Sequence, residues 1–267
     1  MLNGSQAAWI HGPPPGTRRP RPHEMQRAMR VQSRLLPQEF PDLPTLRCHA
    51  LSVQAGDVGG DFYDFLSPRA GRLTLALGDV SGKGVPAALM MASLQASLRS
   101  HSALSAGGLA QQLRSVNGLF VDCTEPHHFT TLFLGEYDEA TRRLRYANCG
   151  HLPPLLHRAG SAITKLDPTA SVLGMFPEWD CDVAEVTLAP GDTMLLYTDG
   201  VTEATSRMGE QFGESRLEVA LSTLAHLPLP LLLDAILDEI RSFTDGRFQD
   251  DVTLLAARAR DAGGTTE

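Results

Sequence analysis

The sequence predicts an α+β domain, an antiparallel strand set interrupted and followed by helices. Three observations carry this reading. Strand-like runs come as turn-linked neighbours: FTTLFLGEYD and RRLRYANCG flank EATR and read as a hairpin. Beyond a short N-terminal helix, helical pattern falls in two blocks, residues 85–121 and 213–243, and does not separate every pair of strands. Hydrophobic residues make up 42% of the 267 positions and charged residues 20%, an ordinary globular balance at the upper end of one compact domain.

The elements follow in chain order. Residues 1–23 are Pro- and Arg-rich without apolar periodicity and read as a disordered tail. Residues 24–36 place Met25, Met29, Gln32 and Leu36 on one face, with Arg27, Arg30 and Arg34 elsewhere on the wheel. This amphipathic helix ends at Pro37. It either packs on the body or serves as a dimerisation or signal-input helix, so residues 24–40 form a linker or switch segment. RCHALSVQA alternates weakly, and RLTLALGDV is a stronger strand with Leu73, Leu75 and Leu77 on one face. Val85 to about Arg99 is a helix opened by Pro86. It is rich in Ala, Met and Leu almost all round, which predicts that it is buried. Gly108 to Val121 is a second helix. PPLLHR, CDVAEVTLA and DTMLLYTDG continue the strands, with a PGD turn between the last two. Residues 213–224 and 229–243 are helical, and DDVTLLAARA is the final strand. The domain spans 41–260, and 261–267 is a second tail.

Charge and composition exclude several function classes. A net charge of −8 argues against nucleic acid as a partner, since phosphate binding needs clustered Lys and Arg. No apolar run reaches the ~20 residues of a membrane span, and no secretory signal is visible. Cys48, Cys123, Cys149 and Cys181 form no CxxC pair, so a zinc knuckle is not expected. Reduced thiols in a cytoplasm are the simplest reading. Of the basic residues, 21 are Arg and only Lys83 and Lys165 are Lys.

Carboxylates recur where strands begin or end. Asp61 lies in VGGDFYD, Asp79 in LGDVSGKG, Asp199 in LLYTDGV, and Asp250 and Asp251 in FQDDVTLL. Glycines beside them let backbone approach a ligand closely. One such Asp alone would be an ordinary solvated side chain. Four brought together repel: each pair at ~4 Å costs about 4 kcal/mol at an effective dielectric of ~20. Such a cluster needs a cation or protons. Oxygen-only ligands favour Mg²⁺ or Mn²⁺, and two such ions would balance four Asp. Two divalent ions ~3.5–4 Å apart are a device for phosphoryl hydrolysis that needs no protein nucleophile. GDVSGKG fails as a P-loop, because three residues instead of four separate Gly78 from Gly82, and Gly84 follows Lys83. VGGDFYD lacks the second acidic residue of cyclic-dinucleotide synthases, having Phe62 there.

The ordered set LLP, VGGDFYD, LGDVSGKGVPAALMMA, FTTLFLGEYD, YANCGHLPPLL, LLYTDGVTEA, FG and DDVTLL resembles the PPM-type (type 2C) metal-dependent serine/threonine protein phosphatases, in their bacterial SpoIIE-like branch, over about residues 33–258. The resemblance implies a four-layer αββα sandwich with a binuclear Mn²⁺ or Mg²⁺ site at one end. By motif position it implies Asp61, Asp79, Asp199 and Asp250 as metal ligands and catalytic residues, with the backbone carbonyl of Val80 as a further ligand. Asp251 is then a supporting residue or a strand-start cap. The implied reaction is attack by a metal-activated hydroxide on a phosphorylated Ser or Thr. The implied substrate is a regulatory phosphoprotein, an anti-sigma-factor antagonist. Departures are Ser81, where eukaryotic relatives carry a His proposed as general acid, and the lack of an identifiable phosphate-binding Arg. Lys83 could attract phosphate or be merely solvated. His151 is expected to hold a turn. The alternative to an enzyme is a pseudophosphatase that docks a partner without hydrolysis. A third reading is a phosphatase for a small phosphorylated metabolite.

Overall fold

A computed structural model describes residues 22–104, 108–125, 127–158 and 162–262. The expected N-terminal tail lies outside them apart from its last two residues, and the C-terminal tail apart from its first two.

The chain opens with α1 (Pro22–Leu35), followed by β1 (Asp42–Leu43), β2 (Leu46–Val53), β3 (Phe62–Arg69) and β4 (Arg72–Val80). Two helices come next, α2 (Val85–Leu104) and α3 (Leu109–Cys123). The strands resume with β5 (Thr130–Asp138), β6 (Arg143–Cys149), β7 (Leu155–His157), β8 (Thr164–Lys165), β9 (Ala184–Thr187) and β10 (Thr193–Tyr197). Helices α4 (Asp199–Thr202), α5 (Gly213–Leu224) and α6 (Leu229–Phe243) precede the last strand, β11 (Val252–Ala259).

The strands form two antiparallel sheets, ordered β1-β2-β11-β10-β7-β8 and β3-β4-β5-β6-β9. Alternation along each strand decides which layer a side chain enters. Leu73, Leu75 and Leu77 of β4 meet Cys48 and Ala50 of β2, Leu196 of β10 and Leu255 of β11 between the sheets. The opposite face of the second sheet, with Ala76, Val80 and Leu134, packs on Met91, Leu94 and Leu98 of α2 and on Leu113, Val116 and Phe120 of α3. The outer face of the first sheet, with Leu195, Tyr197 and Leu254, is covered by α5 and α6 through Leu217, Leu221, Leu233 and Ile236. The architecture is therefore the four-layer αββα sandwich.

Two details differ from the sequence reading. Helix α2 is not buried all round. Ala87, Met91, Leu94 and Leu98 face inward, while Leu89 is 68% exposed. The helix lies in the outermost layer, so only one side of it has a sheet to cover. The apolar run ending at Tyr197 also leads into a short helix, α4, and Asp199 is its first residue rather than a strand residue.

The C-terminal end of α1 is fixed to the body by polar contacts. Gln95 Nε2 and Arg99 Nη2 each donate to the Leu35 carbonyl at 3.0 Å. The same guanidinium holds the buried Asp64 through Nε at 2.6 Å.

Candidate metal centre

Four segments deliver carboxylates to one end of the sandwich. Asp61 precedes β3, Asp79 is the next-to-last residue of β4, Asp199 follows β10, and Asp250 and Asp251 precede β11. The antiparallel pairings β3–β4 and β10–β11 put the starts of β3 and β11 beside the ends of β4 and β10.

Glycines let these segments close on one another. A Cβ on Gly60 would stand 2.4 Å from the Val80 carbonyl oxygen and 3.3 Å from Asp79 Oδ1. A Cβ on Gly59 would collide with the Asp251 carboxylate, and one on Gly200 with the Asp251 carbonyl oxygen at 2.0 Å. The VGGD and TDG motifs thus owe their glycines to close approach of backbone to the acidic cluster.

The individual carboxylates have different settings. Asp61 is 2% exposed, and Thr198 Oγ1 donates to its Oδ2 at 2.7 Å. Burial, followed by the charge of Asp79, raises its carboxyl well above the usual range. Asp79 is pushed up to about 7 by burial, then by Asp199, Asp250 and Asp251. Asp199 is raised by burial and then by Asp250 and Glu203. Asp251 is also raised by burial, but its Oδ1 accepts the Ala55 amide at 2.9 Å, so it ties the 55–61 loop to β11. Asp250 lies further out. Its Oδ2 is 2.7 Å from Lys83 Nζ, and its Oδ1 accepts the Asp251 amide at 3.0 Å. The adjacent acids therefore differ in their partners, the Ala55 amide for Asp251 and the Lys83 ammonium for Asp250, and both line the cleft between them and β4.

That cleft, about 310 Å³, is lined by Gly59, Gly60, Asp79, Lys83, Asp250 and Asp251 among others, and Met25 of α1 borders it. A second cleft of about 310 Å³ adjoins it, with Gly200, Glu203 and Gln211 in its wall, and the two share Lys83, Gln249 and Asp250. The carboxylates do not close into a cage. Among the described residues, the three ligand-bearing side chains whose donor atoms all lie within 4.8 Å are Glu125, His127 and His128, on the loop after α3. The donor set at the cleft is nonetheless suited to hard divalent cations. It is oxygen-only, burial and then repulsion from neighbouring carboxylates raise the proton affinity of Asp79, and a backbone carbonyl faces a space that any Cβ on Gly60 would fill.

The raised carboxylates have a measurable consequence in the absence of divalent ions. A folded-state value near 7 for Asp79, against 3.8 unfolded, stabilises the fold at low pH and is lost as pH rises through about 7. In chelator, the unfolding free energy is expected to drop by about 1–3 kcal/mol between pH 5.5 and pH 8. Excess Mg²⁺ should restore it at pH 8. Urea unfolding at the two pH values checks this, and a flat profile in chelator would contradict it.

Ser81 and His151 are occupied structurally. Ser81 Oγ accepts the Phe129 amide at 3.0 Å, and the Ser81 amide donates to the Phe129 carbonyl at 2.9 Å. His151 is 3% exposed and its Nδ1 is 2.9 Å from Thr131 Oγ1. Burial lowers its pKa to about 4, so it is neutral near pH 7.

One residue at the site escaped the sequence reading as such. Gln32 of α1 is 4% exposed, and its amide makes two bonds to a residue beside the cluster: Nε2 donates to the Gly59 carbonyl at 2.7 Å, and Oε1 accepts the Gly59 amide at 3.1 Å. The available signal was a polar side chain on the apolar face of an amphipathic helix. Gln32→Leu leaves both Gly59 groups unpaired. It is expected to cost about 1–3 kcal/mol of stability and to weaken Mg²⁺ binding, because Gly60 and Asp61 follow directly. Calorimetric titration of the variant tests this. Unchanged affinity would show that α1 is not coupled to the cluster.

Comparison with known proteins adds the following. Residues 69–260 match the family model described as Stage II sporulation protein E (SpoIIE). The chain is similar to Protein IcfG of Synechocystis sp. (strain ATCC 27184 / PCC 6803 / Kazusa), with 31% identity over 87% of this chain and 41% of that protein's length. It is also similar to the phosphoserine phosphatase RsbU of Bacillus subtilis (strain 168), with 28% identity over 89% of this chain and 70% of that one. Among solved structures, the SiaA-PP2C domain of Pseudomonas aeruginosa superposes with a TM-score of 0.76 at 23% identity, covering 88% of this chain and 95% of that domain. That likeness shows the fold.

Proposed function

We propose, for a chain that belongs to the SpoIIE family, that it is a phosphatase removing phosphate from Ser or Thr of a regulatory phosphoprotein, with an anti-sigma-factor antagonist as the substrate class. The observation that carries the reading is the gathering of Asp61, Asp79, Asp199 and Asp250 at one end of the sandwich, where burial and then neighbouring carboxylates raise the proton affinities of Asp61, Asp79 and Asp199. Residues 41–260 would form the catalytic domain and 24–40 its linker or switch segment, with residues 24–36 as the part through which two chains would pair. Phosphoserine as substrate is supported by RsbU, a phosphoserine phosphatase by name.

Asp61, Asp79, Asp199, Asp250 and the Val80 carbonyl would hold two Mn²⁺ or Mg²⁺ ions. Such a pair supplies a water acidified for attack on phosphorus and charge to hold the phosphate oxygens. The chain's own groups do the rest. Thr198 fixes the Asp61 carboxylate at 2.7 Å, and Asp251 pins the loop that carries Gly59 and Gly60. Gly60 keeps the Val80 oxygen uncovered. Lys83, 68% exposed at the cleft wall, presents a positive charge to an incoming phosphate. Among the described residues no helix is long and apolar enough to cross a membrane, and all four cysteines are free, in keeping with a cytoplasmic place of action.

Hydrolysis of p-nitrophenyl phosphate by the wild type and by Asp199→Asn, each with Mn²⁺, Mg²⁺ or chelator, tests the proposal. Metal-dependent turnover that disappears in the variant is expected. No turnover with either metal, nor with a phosphorylated antagonist protein, would instead favour a docking module. Undiminished turnover in Asp199→Asn would remove Asp199 from the site.

A further inference from the structure

We propose that Lys83 is an exchangeable counter-cation: its ammonium holds Asp250 until a divalent ion takes that carboxylate, and its departure opens the wall between the two clefts. The inference rests on the metal-centre reading above and concerns how that centre is loaded.

Four observations on the chain support it. Lys83 Nζ is 2.7 Å from Asp250 Oδ2 and also donates to the Gln249 carbonyl at 3.2 Å, so it is docked on the segment that enters β11. Lys83, Gln249 and Asp250 line both clefts, so this contact is the partition between them. Lys83 is flanked by Gly82 at φ +101° and Gly84 at φ +71°. A Cβ at either would meet nothing within 4 Å, so these glycines do not serve close packing. Their left-handed backbone, which an L side chain rarely adopts, accounts for them instead, and the turn they form holds the lysine out at the cleft wall. Finally, the carboxylates do not converge within 4.8 Å of one another as a ligand set, and Asp250 is the one of them that is ion-paired to a lysine.

The strength of the contact suits exchange. Both partners are substantially exposed, 68% for Lys83 and 44% for Asp250, and such pairs are worth little. A divalent ion shared among several carboxylates outcompetes one ammonium. The residue type matters too. An arginine would grip the carboxylate with a two-pronged fork, whereas lysine is a compact point charge on a flexible stem. The chain carries 21 arginines and two lysines, and one of those two stands here.

The scarcity of lysine also supplies the test. Full-length protein labelled with ¹³C,¹⁵N-lysine gives side-chain signals from Lys83 and Lys165 alone. Lys165 is held by Glu214 and Glu218 of α5 and serves as an internal reference. Titration with diamagnetic Mg²⁺ should move the Lys83 ε-methylene and Nζ signals along the saturation curve that calorimetry gives, while Lys165 stays in place. Lys83→Gln should bind Mg²⁺ about two- to fivefold tighter, the range an exposed ion pair accounts for. Lys83→Arg should bind it no tighter than the wild type. Saturation by Mg²⁺ with the Lys83 signals unmoved, or equal affinity in Lys83→Gln, overturns the exchange and leaves the metal centre standing. Absence of any Mg²⁺ binding overturns the metal-centre reading and the exchange with it.

Discussion

Asp79→Asn is expected to lower metal-dependent phosphatase turnover by at least ~10³-fold, about 4 kcal/mol of transition-state stabilisation. In chelator at pH 8 the same variant should melt higher than the wild type. Asp79 is pushed up to about 7 by burial and by Asp199, Asp250 and Asp251, so ionising it in the folded protein is unfavourable. Asparagine keeps the shape and removes the charge. At roughly 2–4 °C per kcal/mol for a domain of this size, the rise should be several degrees. Added Mg²⁺ should reverse the order, because the wild type gains binding energy that the variant lacks. Loss of turnover together with a lower melting temperature in chelator would mean that Asp79 supports the fold instead of a cation. Turnover within tenfold of wild type would remove Asp79 from the centre.

The second large effect is expected at Gly200. A Cβ there would stand 2.0 Å from the Asp251 carbonyl oxygen and 2.9 Å from its carbon. Those are backbone atoms at the entry to β11, and they cannot swing aside as a side-chain tip can. Gly200→Ala should cost about 1–3 kcal/mol as an overpacked site. It should also displace Asp199 and Asp250 relative to each other, with a loss of Mg²⁺ affinity larger than the stability change alone explains. Gly118 in α3 is the matched control. A Cβ there meets nothing within 4 Å, so Gly118→Ala should stabilise by about 0.5–1 kcal/mol through helix propensity. Denaturant midpoints for the two variants should therefore move in opposite directions.

Each member of the cluster was legible because its immediate setting is local in the chain. Asp79 and Asp199 stand where apolar strands stop, and Asp61 follows two glycines. Strand ends on one side of a sandwich are close in space whatever the connections. The choice between Asp250 and Asp251 was not legible from spacing. Their partners lie far away in sequence, Lys83 for Asp250 and Ala55 for Asp251. Pairing of β11 with β2, in which Val252 faces Val53, joins segments ~200 residues apart, and no local pattern encodes it. The exposed side of α2 was misjudged for a related reason. Composition shows that a helix can be buried, but the layers covering it decide how much of it is. Gln32 was placed on the correct helix face, but its partner is a glycine 27 residues on and was invisible to helical periodicity.

The paired amide of Gln32 gives the chain a built-in clock. Gly59 is bonded through both its N–H and its C=O to one side chain, much as a strand residue is bonded to its neighbour. Its amide proton can be lost to solvent only when α1 lifts from the body or the 55–61 loop opens. The exchange lifetime of that single proton therefore counts local openings next to Asp61, separately from global unfolding. Anything that seats α1 more firmly should lengthen that lifetime, and anything that pulls the helix away should shorten it, without a change in the slowest-exchanging amides of β4 and β5.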